Sequence, residues 1–111
     1  MKIEHEQIGT VEVLSPIGPL VDEGAEAFTQ QILARVRSSN PRVVASLREV
    51  PYMDSCAIEG LLEATDELSS RAMNLRLVET PPTCREILEL VGVAGQFAFF
   101  PDVQSAVRSF L

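Results

Sequence analysis

The chain has 111 residues, 46% apolar and 23% charged, a balance that suits one folded domain and excludes both a disordered chain and two separate cores. Nine basic against sixteen acidic residues give a net charge of −7, and Lys2 is the only lysine, so the cationic surface that nucleic acid or an anionic membrane demands is missing. The longest uncharged stretch, Leu90 to Pro101, falls short of the ~18 apolar residues of a bilayer span.

In chain order, Ile3 to Ile8 reads as a weak strand that pairs with a second, in which Val11 and Val13 alternate with Thr10 and Glu12. Ser15-Pro16-Ile17-Gly18-Pro19 then predicts the end of the pattern, since two prolines and a glycine do not continue a central ladder. Asp22 as N-cap and Glu23 in the first turn open a helix whose Ala25, Phe28, Ile32, Leu33 and Val36 recur at helical spacing until Ser38-Ser39-Asn40-Pro41. Val43 to Leu47 is apolar almost throughout, as in a strand covered on both faces, which makes it the expected centre of the sheet.

From about Asp54 to Arg71, Ile58, Leu61, Leu62 and Leu68 form one stripe with Thr65 as its polar member, which predicts a second helix. Leu75 to Val78 reads as a strand. Thr83 and Glu86 have capping-box spacing ahead of an apolar face of Ile87, Leu88 and Val91, and Gly92 stands where a helix ends in a left-handed residue. Phe97 to Phe100 is a short last strand, and Pro101-Asp102 begins a final helix with Val103, Ala106, Val107 and Phe110 inward. The order ββαβαβαβα, with right-handed crossovers, predicts an α/β domain over residues 1–111 with four helices and a mixed, mostly parallel sheet of about five strands. Only the first pair should be antiparallel.

Asp54-Ser55-Cys56-Ala57 lies between the end of the central strand and the start of a helix, where open α/β sheets tend to place their sites. With Asp54 as N-cap, Ser55 falls in the first turn, where free N–H groups and the helix dipole favour a negative charge such as a phosphate. Asp and Ser begin helices so often that, from these residues alone, plain capping is the favoured reading. The helix carries Asp54, Glu59, Glu63, Asp66 and Glu67 against one base, Arg71, so it presents either a solvated face or a dock for a basic partner.

Enzymatic readings find little support. The only histidine, His5, is remote from Ser55, and no Gly-x-Ser-x-Gly elbow surrounds that serine. Cys56 at a helix start is a candidate for a lowered pKa, yet it has no Cys-x-x-Cys partner, and Cys84 is far along the chain. No zinc spacing or glycine-rich phosphate loop occurs, so neither metal nor cofactor is expected. The acidic opening Met1-Lys2-Ile3-Glu4-His5-Glu6 lacks the basic-then-apolar order of a secretion signal, which predicts a cytoplasmic protein with reduced thiols.

From Val43 to Phe110 the chain resembles the STAS family of bacterial anti-sigma-factor antagonists. The likeness is carried by Val50-Pro51-Tyr52-Met53-Asp54-Ser55 leading into Ile58-Glu59-Gly60-Leu61-Leu62, by Leu75-Arg76-Leu77-Val78, by Pro82-Thr83-Cys84-Arg85-Glu86-Ile87-Leu88, and by Phe97-Ala98-Phe99-Phe100-Pro101-Asp102. Asp22, after Gly18-Pro19-Leu20-Val21, matches the family's loop into its first helix. The resemblance implies a non-enzymatic switch. Ser55 would be phosphorylated by an anti-sigma factor that is also a serine kinase, and a phosphatase would restore it. Asp22, Asp54, Ser55, Cys56, Ala57, Ile58 and Glu59 would surround the docking surface. The family's usual glycine before the aliphatic residue is Ala57 here, and the family also includes unphosphorylated scaffolds and subunits of signalling or transporter complexes.

Overall fold

Residues 1–111 are described by a computed structural model. Its elements are β1 (Lys2–Ile8), β2 (Val11–Ile17), α1 (Asp22–Val36), β3 (Val43–Ser46), α2 (Ser55–Ser69), β4 (Leu75–Val78), α3 (Pro82–Leu90), β5 (Phe97–Phe100) and α4 (Val103–Arg108), with one 3-10 turn at Ala94–Gln96. The sheet order is β1-β2-β3-β4-β5, antiparallel between β1 and β2 and parallel thereafter. The α/β class, the element order and the central place of β3 match the sequence reading.

Register assigns the two faces of the sheet. Leu14, Ala45, Leu77 and Phe99 are in line across β2 to β5 and, with α1, α2 and α3, belong to the main core. Their neighbours Val13, Val44 and Val78 lie on the other face in a smaller cluster with Val11 and Ala106, which α4 covers through Val103, Val107 and Phe110. All four residues of β3 are buried, because helices cover both of its faces.

Five expectations need correction. β2 runs through Ser15 and Pro16 to Ile17 rather than breaking there. The N–H groups of Glu12 and Gly18 both bond toward the β3 side, to Arg42 and Glu49 carbonyls, so Pro16, of the same parity, turns its missing N–H that way. Pairing with β3 stops at Leu14, while pairing with β1 continues past Pro16.

Asp22 is not the N-cap of α1. Val21 holds that place with no side-chain cap, and Asp22 is the first helical residue, at φ +49°. Likewise α3 starts at Pro82 with Pro81 as N-cap, so Thr83 and Glu86 form no capping box. Val91 is exposed rather than inward, since α3 ends at Leu90 and Gly92 turns the chain at φ +79°.

The buried face of α2 is Ala57, Gly60, Leu61, Ala64, Thr65 and Leu68, while Ile58 and Leu62 sit half-buried at its margin. The stripe is rotated toward the small residues because α1 packs there. A carbon added at Gly60 would overlap the hydroxyl of Thr29, so the two helices touch nearly backbone to side chain. Thr65, the buried polar member, donates to the Gln96 carbonyl at 2.7 Å and accepts the Leu75 N–H at 3.0 Å, tying α2 to β4 and to the turn before β5.

Candidate functional site at the start of the second helix

The loop after β3 is held rigidly. Leu20 and Met53 form a parallel bridge, in which Leu20 N–H donates to the Tyr52 carbonyl and Asp54 N–H to the Leu20 carbonyl, both at 3.0 Å. This brings the first turn of α1 beside that of α2 and leaves Tyr52 exposed at the rim.

Asp54 joins the two helix starts. Its Oδ1 accepts the Ala57 N–H at 2.9 Å, the N-cap bond of α2, and its Oδ2 accepts the Asp22 N–H at 2.8 Å. These bonds, that of Asp22 foremost and that of Ala57 next, hold the Asp54 carboxyl below the ordinary range. The Asp22 N–H thereby gains an anionic partner while its backbone keeps a left-handed conformation uncommon outside glycine.

Ser55 is the first residue of α2 and is exposed. Cys56 beside it is exposed too, but its thiol pKa is raised, first by lost hydration and then by the negative charges of Asp54, Glu26, Glu59 and Asp22. The lowering that a helix start suggests is reversed, because lost hydration and then the four carboxylates all disfavour the thiolate. Cys84 is buried, its Sγ 3.4 Å from the Val50 carbonyl, and burial raises its pKa as well. Both thiols are free.

The remaining residues divide by direction. Ala57 is only 3% exposed, with its methyl in the core, Ile58 is half-buried against that core, and Glu59 is exposed. Glu59 and Glu63 line a groove of about 350 Å³ between α1 and α2 with Glu26, Thr29, Cys56 and Gly60. Glu67, the next member of the acidic row, is neutralised from across the groove by Arg37 at 2.9 and 3.1 Å. Arg71 is therefore not the only base near this row. Of the residues singled out in the sequence, the structure gathers Asp22, Asp54, Ser55, Cys56 and Glu59 on one rim and turns Ala57 away from it. Sequence reasoning missed Glu26, whose contribution depends on the packing of α1 against α2.

The chain belongs to the STAS domain family, whose model matches residues 2–106. Among curated proteins none matches in sequence. Solved structures that resemble it include an anti-sigma factor antagonist from Mycobacterium paratuberculosis, 25% identical, with a TM-score of 0.84 over 97% of this chain and 92% of that one. An anti-sigma-factor antagonist (STAS) domain protein from Planctomyces limnophilus is 22% identical, with a TM-score of 0.82 over 96% of both chains. The Bacillus cell fate determinant SpoIIAA in its phosphorylated form is 17% identical, with a TM-score of 0.74 over 97% of this chain and 99% of that one.

Proposed function

We propose that the protein is a non-enzymatic anti-sigma-factor antagonist of the bacterial cytoplasm, which binds an anti-sigma factor with serine kinase activity and is released when that partner phosphorylates Ser55. The observation that carries this reading is the exposed Ser55 at the first turn of α2, directly after a capping aspartate and beside the start of α1. In the transfer, Ser55 Oγ bonds to the γ-phosphorus of ATP, ADP leaves, and the hydroxyl proton passes to a base of the kinase. The added charge of roughly −1.5 to −2 at pH 7 lies inside the contact surface, where repulsion and desolvation weaken the complex. A phosphatase restores the Ser55 hydroxyl by hydrolysis, in which water attacks the phosphorus and inorganic phosphate leaves.

Ala57 bears on the choice between a switch and an unphosphorylated scaffold. Its methyl group is in the core and adds no bulk on the side a kinase approaches, so the departure from the family glycine gives the scaffold reading no steric ground. The direct test is incubation with the cognate kinase and ATP, followed by mass spectrometry of wild type and Ser55→Ala. The reading expects one phosphate on wild type and none on the variant. Absence of phosphate on wild type, under conditions that modify a known substrate, removes the switch. Ser55→Asp separates the alternatives further, since a switch expects weaker partner binding and a scaffold little change.

A further inference from the structure

We propose that Asp54 transmits the charge on Ser55 to the start of α1, so that a negative group on Ser55 frees the Asp22 amide and lets the first turn of α1 reorient. The inference rests on the reading of Ser55 as the modified residue and adds a second moving part to that site. It begins with the two oxygens of one carboxylate, each holding a different helix: Oδ1 the Ala57 N–H at 2.9 Å, and Oδ2 the Asp22 N–H at 2.8 Å. Any displacement of this side chain acts on both helices at once.

The α1 limb is the weaker of the two. Asp22 stands at φ +49°, a conformation that a non-glycine residue keeps only when its surroundings hold it. Its side of the start of α1 has no side-chain cap, and the bonds from Gly24 and Ala25 N–H go to the Val21 carbonyl, not to Asp22. The Asp54 carboxylate is thus what holds the Asp22 N–H. By contrast, α2 retains its helical bond from Ile58 N–H to the Asp54 carbonyl at 3.1 Å whatever the side chain does.

The side-chain charges nearest this helix start are negative. The charged groups acting on the neighbouring Cys56 are Asp54, Glu26, Glu59 and Asp22, all acidic. A phosphate on Ser55 would repel the adjacent carboxylate and compete with it for the N–H groups of the first turn, which attract anions. Once Oδ2 withdraws, Asp22 relaxes toward negative φ, and Glu23 and Glu26 shift with the turn. The face that docks the partner would then change on α1 as well as on α2.

The test requires no kinase, which keeps it apart from the test of the phosphorylation reading. Hydrogen exchange of the Asp22 amide is measured by NMR on the full chain for wild type, Ser55→Glu, Ser55→Gln and Asp54→Ser. Serine at position 54 still caps α2 but is too short to reach α1. The expected result is an exchange rate about tenfold faster in Ser55→Glu and Asp54→Ser, with Ser55→Gln within about twofold of wild type. Adding Ser55→Glu to Asp54→Ser should change nothing further. The inference is overturned if Ser55→Glu exchanges like Ser55→Gln, or if Asp54→Ser leaves the Asp22 amide as protected as in wild type. Phosphorylated protein that loses its partner with Asp22 exchange unaltered would sink this inference and leave the switch intact.

Discussion

Gly60 of α2 faces Thr29 of α1 with no space for one more carbon: a Cβ there would overlap the Thr29 hydroxyl and lie 2.9 Å from both its Cβ and its Cγ2. The hydroxyl donates to the Ala25 carbonyl at 2.9 Å, so the side chain has a reason to stay where it is. This contact sets the spacing of α1 and α2, and with it the groove that brings Glu26 beside Cys56 and Glu59.

Gly60→Ala should therefore destabilise the protein despite the better helix propensity of alanine. Propensity favours the change by about 1 kcal/mol, while overpacking of this kind costs about 1–3 kcal/mol, so a net loss of about 1 kcal/mol is expected in denaturant unfolding. Thr29→Ala removes the obstructing atoms. On that background Gly60→Ala should become neutral or stabilising, and a coupling near zero between the two changes would refute the contact.

The Asp54 carboxylate should leave a mark on the pH dependence of stability. Its folded pKa lies below the ordinary value, so the contribution is fully present above the unfolded pKa of about 4 and is lost as pH falls through the lower folded value. Asp54→Asn should be less stable than wild type at neutral pH, because an amide offers only one oxygen to two N–H donors. The gap between the two should close in acid as the wild-type carboxyl protonates. A gap that persists unchanged at the lowest pH would show that the charge contributes nothing.

Cys56 should alkylate slowly for an exposed thiol. Lost hydration and the carboxylates of Asp54, Glu26, Glu59 and Asp22 all disfavour its thiolate, the reactive form. Iodoacetamide labelling at neutral pH should be slower than for an unstructured cysteine peptide, and Glu26→Gln together with Glu59→Gln should accelerate it. Cys84, buried beneath Val50, should react only on unfolding.

Arg76 should hold the end of α4. Its guanidinium lies 3.6 Å from the centre of the Phe110 ring, and its Nε donates to Ser109 Oγ at 2.6 Å. Burial lowers its pKa, and its partners here are neutral. Arg76→Ala should cost about 1 kcal/mol and raise hydrogen exchange in Val103–Arg108 ahead of the other helices. Lysine at this position should rescue little, since it lacks the flat face that stacks on Phe110.

The five buried positions of α1, the continuous apolar run of β3 and the inward face of α4 were legible because each pattern is local and repeats with the period of its own element. The α2 stripe was legible only in part. Periodicity says that one face is apolar, but the packing of α1 on α2, with Thr29 against Gly60, goes with Ala57, Gly60 and Ala64 inward and Ile58 and Leu62 at the margin. Asp22 looked like an N-cap by composition and was not one: Val21 takes that place, and the Asp22 N–H donates instead to the capping carboxylate of α2. The lowered thiol pKa suggested by the position of Cys56 failed because lost hydration, first, and then the charges of Asp54 and of Glu26 on α1 disfavour the thiolate.

By itself, the order of apolar periods, prolines and glycines determined the α/β class, the strand count, the parallel crossovers and the placing of Ser55 at a helix start. Those properties follow from neighbours within a few positions along the chain, where bonding geometry ties pattern to shape. Tertiary structure alone decided that one carboxylate serves two helices, that the Ala57 methyl is hidden, and that Asp22 and Glu26 join Asp54 and Glu59 around Cys56. These depend on residues some thirty positions apart meeting in space, a distance over which no local period carries information.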